Sequence, residues 1–328
     1  RENGIKVFDV NRGIGSHVVM EEGLAYPGVT AVGTDSHFNI LGAIGAFGQG
    51  MGDVDIAFVF KTGRTWFEVP PTVKVNFLGM PDARWSAKDL ALLCVKELKG
   101  KVLGKAIEFY GEIVDKLSLA GRITLASMVT EMGGIIGFIP PNKEVIKFCR
   151  ERSGREIEAI AADRDADYEM EIDMDVSNLQ PLIALPGSPA NVKRVADLPS
   201  IEVNSIFIGS CTNGREEDME AAYNVVKGRK IAENVMAKVV PATREVWSYM
   251  LEKGIIKEMF DAGMIISHAA CGGCASGQLG MTGKGEVQVS TSNRNFRGKQ
   301  GDGDTYLASP ETAAASAVAG YITEVDDL

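Results

Sequence analysis

Histidine is scarce in this chain: 328 residues hold three, His17, His37 and His268. None lies at ligand spacing to the cysteines, so nothing completes a tetrahedral structural zinc site. Long apolar runs are missing too. No stretch approaches the roughly 20 residues that a membrane helix needs, and no such helix is expected. A dominating basic face is the third absence. The formal net charge is −10, and basic runs such as Lys99-Gly100-Lys101 and Lys227-Gly228-Arg229-Lys230 are short and interrupted, which argues against nucleic-acid binding. With 24% charged residues and a mean hydropathy of +0.02 the composition is that of an ordinary globular chain. Its length exceeds what one hydrophobic core organises, so two or three domains are expected.

The five cysteines are an odd count and fall into two kinds. Cys94, in Ala91-Leu92-Leu93-Cys94-Val95, and Cys149, in Val145-Ile146-Lys147-Phe148-Cys149, sit in helix-like apolar patterns and read as core packing. Cys211, Cys271 and Cys274 sit instead in small-residue turns beside polar groups. Gly209-Ser210-Cys211-Thr212-Asn213 follows the apolar strand Ser205-Ile206-Phe207-Ile208, and Cys271-Gly272-Gly273-Cys274 follows Met264-Ile265-Ile266. Both turns come at the carboxyl ends of predicted strands, where open α/β sheets bind ligands. A Cys-x-x-Cys alone also suits a redox pair or half of a zinc site. Soft thiolates without a fourth protein ligand fit an iron–sulfur cluster with one exposed iron. Unpaired thiols and an oxygen-sensitive cluster point to a reducing compartment, by default the cytoplasm.

Two more polar turns follow apolar runs. Gly33-Thr34-Asp35-Ser36-His37 comes after Val29-Thr30-Ala31-Val32 and before a glycine-rich stretch from Gly42 to Gly52, while Gly13-Ile14-Gly15-Ser16-His17 brings a second imidazole within reach. An Asp beside a His holds its tautomer and raises its basicity, as general acid–base work requires; the blander reading is an Asp or Ser N-cap on a helix starting near Phe38. The glycines loosely resemble a nucleotide fingerprint, but no acidic residue at a strand end about twenty residues on completes it, and that reading is discarded. Further along, Ser290-Thr291-Ser292-Asn293-Arg294-Asn295-Phe296-Arg297-Gly298-Lys299 follows the alternating strand Glu286-Val287-Gln288-Val289. Three cations among amides and hydroxyls suit a carboxylate or phosphate, because Arg presents a planar fork. The alternative is a solvated basic loop.

Strands and helices alternate along the chain, which argues for α/β layers with mostly parallel sheets. A first unit is expected over 1–69, with a helix from Asp53 to Thr65. A second, over 70–189, opens with a strand from Thr72 to Leu78 and carries helices over 87–98, 104–117 and 118–132, the last ending at Gly133-Gly134 with Glu131 in its final turn. Residues 150–175 read as charged surface and 181–189 as a linker. A third unit, 190–328, contains both cysteine turns and amphipathic helices over 215–227 and 245–253.

Taken in order, Tyr26-Pro27-Gly28, Gly33-Thr34-Asp35-Ser36-His37, Glu131-Met132-Gly133-Gly134, Ile208-Gly209-Ser210-Cys211-Thr212-Asn213, Cys271 with Cys274, Asn293-Arg294-Asn295-Phe296 and Ala308-Ser309-Pro310-Glu311-Thr312-Ala313-Ala314 resemble the aconitase superfamily. The likeness runs the length of the chain and is greatest to the large subunits of two-subunit 3-isopropylmalate dehydratases and homoaconitases. It implies three-layer α/β/α domains around a cluster-binding cleft, and a [4Fe–4S] cluster on Cys211, Cys271 and Cys274 that acts as a Lewis acid in dehydration and rehydration. It implies catalytic roles for His37 with Glu131 at the leaving hydroxyl and for Asp35 with His17 as a supporting pair. Arg294 is expected to hold a substrate carboxylate, and Ser36, Lys299, Asn213 and Asn293 to line the substrate or cluster. The substrate is expected to be a hydroxy di- or tricarboxylate, isopropylmalate of leucine biosynthesis first, with homoaconitate, citrate and 2,3-dimethylmalate as alternatives. A non-catalytic metal module or an RNA-binding regulator is a remoter reading.

The same likeness implies a separate small subunit carrying a swivelling domain and the serine base. It also implies that the chain, beginning at Arg1, starts inside a family domain and lacks an upstream Asp-His pair. Lys299 stands where the family usually has Arg, Ser127 where it commonly has Asn, and Phe38-Asn39-Ile40 where Thr-Cys-Thr is frequent. These departures are expected to alter the lining of the site and its substrate choice.

Overall fold

The computed structural model describes residues 2, 4–81, 84–274 and 276–328; Arg1, where the first expected unit begins, lies outside them. The described strands form three sheets. The smallest pairs β1 (Thr30–Gly33) in parallel with β2 (Phe47–Gly50). Between them runs a 3-10 helix, Phe38–Ile44, whose residues are all buried. It can pack this closely because Gly42 has no side chain: a Cβ there would lie 2.0 Å from the Gly137 carbonyl oxygen. Helix α1 (Gly15–Glu21) precedes this pair and α2 (Asp53–Thr62) follows it. No residue of α2 is buried, and Val54, Phe58 and Phe60 stand exposed on it.

The second sheet is wholly parallel, with β3 (Thr72–Leu78), β4 (Ala106–Tyr110), β5 (Ile136–Phe138) and β6 (Met170–Asp175) in the order β5-β4-β3-β6. Its helices are α3 (Ala87–Leu98), α4 (Glu112–Asp115), α5 (Leu119–Met132) and α6 (Lys143–Ser153). Helix α3 matches its expected bounds because Ser86 and Asp89 form a capping box at its start. Three expectations fail here. The helix over 104–117 is instead β4 and the single turn α4, since the branched and aromatic residues Ile107, Phe109 and Tyr110 suit a strand and Gly111, at φ 125°, ends it. The charged surface contains β6, an edge strand whose outward acids Glu171, Asp173 and Asp175 discourage further pairing. The linker contains a buried strand, β7 (Leu182–Ala184).

That strand and β8 (Val192–Arg194) form the antiparallel end of a larger sheet with β9 (Ser205–Gly209), β10 (Met236–Val240), β11 (Ile265–Ile266), β12 (Val287–Ser290) and β13 (Asp304–Leu307). The order is β11-β10-β9-β12-β13-β7-β8, and β9 to β13 are parallel. Helices α7 (Glu216–Val226), α8 (Arg244–Glu252), α9 (Ile255–Ala262) and α10 (Pro310–Ala319) complete it. One core gathers β3 and β4 with α3 and α5, and includes Cys94; a second gathers β9, β10 and β12 with α7 to α10. Cys149 packs in a third, around the 3-10 helix. The α/β class with mostly parallel sheets is as expected. Among the described residues no helix is long and apolar enough to cross a membrane.

Arg122, fully buried in α5, fixes the entry to that helix. Its Nε donates to Leu117 O (3.1 Å), Nη1 to Pro140 O (2.8 Å) and Nη2 to Val114 O (3.2 Å). Replacing it with an apolar side chain leaves three carbonyls without their charged donor. Arg122→Met is therefore expected to cost about 3 kcal/mol or more in urea unfolding, whereas Arg64→Met, on the exposed surface, should stay within about 0.5 kcal/mol of the parent. Equal shifts for the two would show that Arg122 is not a structural tie.

Candidate functional site

Strand β9 has β10 and β11 on one side and β12 and β13 on the other, so the connections leave in opposite directions and a crevice opens at the carboxyl ends of β9 and β12. Cys211 follows β9, Cys271 and Cys274 follow β11, and Asn293 and Arg294 follow β12. The turn after β1 brings Thr34, Asp35, Ser36 and His37 to the same place. Together with Gln278 and Lys299 these residues line a cavity of about 490 Å³.

The thiol loop needs unusual backbone. Gly209 has φ 149°, and a Cβ on it would lie 2.2 Å from Val240 O. Ser210, at φ 83°, is the one non-glycine among the described residues in the left-handed region, and its Oγ accepts the Thr212 N–H (3.2 Å). The three thiols then converge. Cys271 hydrogen-bonds to both Cys211 and Cys274, which pushes its thiol well up, while the bond from Cys271, aided by Ser292 and the charge of Lys299, draws Cys274 down to about 7. Asn293 Nδ2 donates to Cys211 Sγ (3.3 Å) and Thr212 Oγ1 (3.1 Å), and Lys299 Nζ donates to Cys274 O (2.9 Å). Among the described residues no set of three or more His, Cys, Asp or Glu side chains stands ready-spaced around a single ion; these thiols touch one another instead. Three free soft sulfurs, with no fourth protein ligand among the described residues, are a donor set that fits an iron–sulfur cluster.

A closed polar ring faces the thiols. His37 Nε2 lies 3.2 Å from Glu131 Oε1, and the same oxygen accepts Arg294 Nε at 2.7 Å. Arg294 Nη1 donates to Ser36 Oγ (3.2 Å), which lies 3.3 Å from His37 Nδ1. Asp35 supports the ring: Oδ1 accepts the His37 backbone N–H (2.9 Å) and Oδ2 the Ser16 hydroxyl (3.1 Å).

The expected Asp35–His17 pair does not form. Ser16 and His17 are consecutive on α1, about 100° apart around its axis, so when Ser16 reaches Asp35 the imidazole points elsewhere. His17 Nε2 meets Cys211 O at 2.9 Å, and Nδ1 has no partner among the described residues. Burial, with the charge of Arg215, lowers His17 from 6.5 to about 3. Asn213 is also misplaced by the sequence reading: its amide donates to Thr124 Oγ1 (3.1 Å) and Asp218 Oδ1 (2.8 Å) and lines a second cavity of about 350 Å³. Ser127 bonds to Thr212 Oγ1 (2.8 Å) behind the thiol loop, and Phe38, Asn39 and Ile40 are buried in the 3-10 helix. None of the four lines the thiol cavity.

Sequence reasoning missed two buried groups. Glu21 Oε1 accepts both Arg215 Nη1 (2.6 Å) and Thr243 Oγ1 (2.7 Å), tying α1 to the third sheet's helices. Lys88 is fully buried on α3 and donates to the carbonyls of Thr291 (2.9 Å) and Ser292 (2.6 Å). No pattern in the sequence separates either charge from surface ones.

A model of the aconitase family (aconitate hydratase) matches residues 1–200 and 192–320. The chain belongs to the aconitase family. A family relative, 3-isopropylmalate dehydratase large subunit 1 of Methanopyrus kandleri, is 42% identical over 98% of this chain and 78% of its own length. The homoaconitase large subunit of Thermus thermophilus is also 42% identical, over 100% of this chain and 78% of its own. The probable methanogen homoaconitase large subunit of Methanosarcina mazei is 41% identical over 99% of this chain and 83% of its own. The crystal structure of Thermococcus kodakaraensis aconitase X in its holo-form shares the fold, with a TM-score of 0.50 at 13% identity over 83% of this chain and 63% of that one.

His17 sets a pH dependence. The His17 imidazole takes up a proton near 6.5 in the unfolded chain and only near 3 in the folded one, so its contribution to stability falls as pH drops through that window, by up to about 1.4 kcal/mol per unit. Urea unfolding of the parent and His17→Gln at pH 7 and pH 5 should show the difference between them shifting by about 2 kcal/mol in favour of the variant at the lower pH. A difference constant with pH would mean that His17 is not held neutral.

Proposed function

We propose that this chain is the large subunit of an iron–sulfur hydro-lyase that moves a hydroxyl between adjacent carbons of a substituted malate through an unsaturated acid, with 2-isopropylmalate and 3-isopropylmalate as the first substrate pair. The observation that carries this reading is the meeting of three thiols with His37 and Arg294 around one cavity. A structural metal module has no use for the acid, imidazole and guanidinium. The names of the relatives support the reaction class.

Cys211, Cys271 and Cys274 would hold a [4Fe–4S] cluster. When bound, it would supply an open iron as Lewis acid toward the substrate's hydroxyl and one carboxylate. The protein's own groups do the rest. His37, braced through Glu131 and Ser36, would pass a proton at the leaving oxygen. Among the described residues Arg294 Nη2 has no hydrogen-bond partner, so it can meet a substrate carboxylate while Nε remains on Glu131. Lys299 adds a point charge and Ser36 a hydroxyl, Asn293 braces Cys211, and Asp35 orients the His37 turn. A small subunit with the swivelling domain would bring the serine base and exclude water. The reducing cytoplasm suits such a centre. Homoaconitate is the second substrate reading, because the Thermus thermophilus relative is as similar as the Methanopyrus kandleri one.

Anaerobic reconstitution with iron and sulfide is expected to give about four irons per chain, and Ser in place of Cys211, Cys271 or Cys274 to abolish uptake while Cys94→Ser and Cys149→Ser do not. Stoichiometric zinc without cluster uptake would sink the reading. With the cognate small subunit, turnover of isopropylmalate should appear, and His37→Ala or Arg294→Ala should each lower it on the order of 10²-fold at unchanged iron content. Preference for homoaconitate would select the second substrate, and full activity without a small subunit would overturn the assignment of the base.

A further inference from the structure

Lys88 is the second residue of α3 and has no exposed surface. Both facts count against it as a stabilising residue. A cation in the first turn opposes the helix macrodipole, and a buried ammonium loses its hydration. Asp218, Asp89 and Glu131 contribute favourable fields, but its direct contacts are elsewhere: Thr291 O at 2.9 Å and Ser292 O at 2.6 Å. Consecutive carbonyls in an extended strand point to opposite sides. One ammonium that takes both therefore fixes a bend directly after β12. The next two residues are those of the site, Asn293 at Cys211 Sγ and Arg294 at Glu131. On the near side of the bend Thr291 is clamped to β9, its N–H to Phe207 O (3.0 Å) and its Oγ1 to the N–H (2.9 Å) and carbonyl (3.0 Å) of Gly209. Lys88 thus grips the loop where its anchored part ends and its functional part begins.

We infer that Lys88 is a positioning residue: by holding the Thr291 and Ser292 carbonyls it aims Asn293 at the thiol loop and Arg294 at Glu131 and the substrate carboxylate. The part of this that concerns substrate rests on the functional reading above. The part that concerns the loop does not. Met fills about the volume of Lys but leaves both carbonyls without a donor; Gln is shorter and uncharged, so its amide N–H groups replace the ammonium only in part. A residue that acts through Arg294 loses its effect once Arg294 is already compromised.

Amide hydrogen exchange on the full chain without cluster tests the loop. Lys88→Met should speed exchange over 290–298 by roughly 10-fold or more while amides in the second half of α3 keep their rates. If Lys88→Met does not fold, Lys88→Gln is read in the same way. An unchanged loop in a folded variant overturns the inference. Turnover by the reconstituted complex tests the aim: Lys88→Met and Arg294→Lys should each raise KM or lower kcat, and the double variant should be less impaired than the product of the two single effects. Independent, multiplicative effects overturn it. Should the parent complex turn over none of the candidate acids, the functional reading fails, and the exchange rates still decide whether Lys88 holds the loop.

Discussion

The parallel strands β9 to β13 all end on one side of their sheet, and the thiols and the Arg294 loop depend on how that edge is used. Cys211, the Cys271–Cys274 turn and the Arg294 loop leave three different strands, β9, β11 and β12. They converge only because the order reverses between β9 and β12, where a crevice rather than a crossover occupies the edge. Thr291 holds the two strand ends together through both polar groups of Gly209. Immediately beyond, Gly209 and Ser210 adopt positive φ, which turns Cys211 into the crevice. For Ser210 that conformation costs on the order of 1–3 kcal/mol. It persists because the loop is bonded on every side.

Those bonds come from the other parts of the chain. Helix α5 reaches the loop through Thr124 Oγ1 to Thr212 O (2.9 Å) and through Ser127. Helix α1 reaches it through His17 to Cys211 O, and Glu21 of the same helix pairs with Arg215 just past the loop. Burial raises the Glu21 carboxyl, against the opposing pull of Arg215 and Thr243, so this pair adds little net stability; breaking one side of it would strand the other. Such ties specify an arrangement more than they strengthen it. The result is a thiol loop whose backbone is set before any ligand binds.

How much of this could be read from sequence follows from where each signal lies. The thiol turns, Asp35–His37 and the Arg294 loop were legible because each is a polar, glycine-bearing turn after an apolar or alternating strand pattern, and a strand end is where such a turn faces a cavity. β4 was not. Five residues inside a sheet carry no period that separates a strand from a buried helix, and the neighbouring 112–115 turn completed the illusion of one. The resemblance implies that Asn213 lines the site, yet residues of a tight turn project to both sides of it, and Asn213 projects away from the thiols toward Thr124 and Asp218. His17 failed for the same reason, on a helix. Lys88 and Glu21 were illegible in principle, since only the fold determines that a lysine beginning α3 and a glutamate ending α1 are covered.

Helix electrostatics nevertheless distinguishes two of these charges once the fold is known. Glu131 lies in the last turn of α5 and Lys88 in the first turn of α3. An acid at a carboxyl end and a cation at an amino end both oppose the macrodipole, each by a few tenths to about 1 kcal/mol, and both are largely out of water. Ordinary helix design would place them the other way round, as Asp89 in the first turn of α3 and Arg150 in the last turn of α6 are placed. What the two misplaced charges have in common is the loop after β12: Glu131 takes the guanidinium of Arg294, and Lys88 the carbonyls that precede it. Helix stability therefore does not account for either residue, and the site does. The Arg294 loop is held by one charge at its backbone and another at its side chain, each set against the dipole of the helix that carries it.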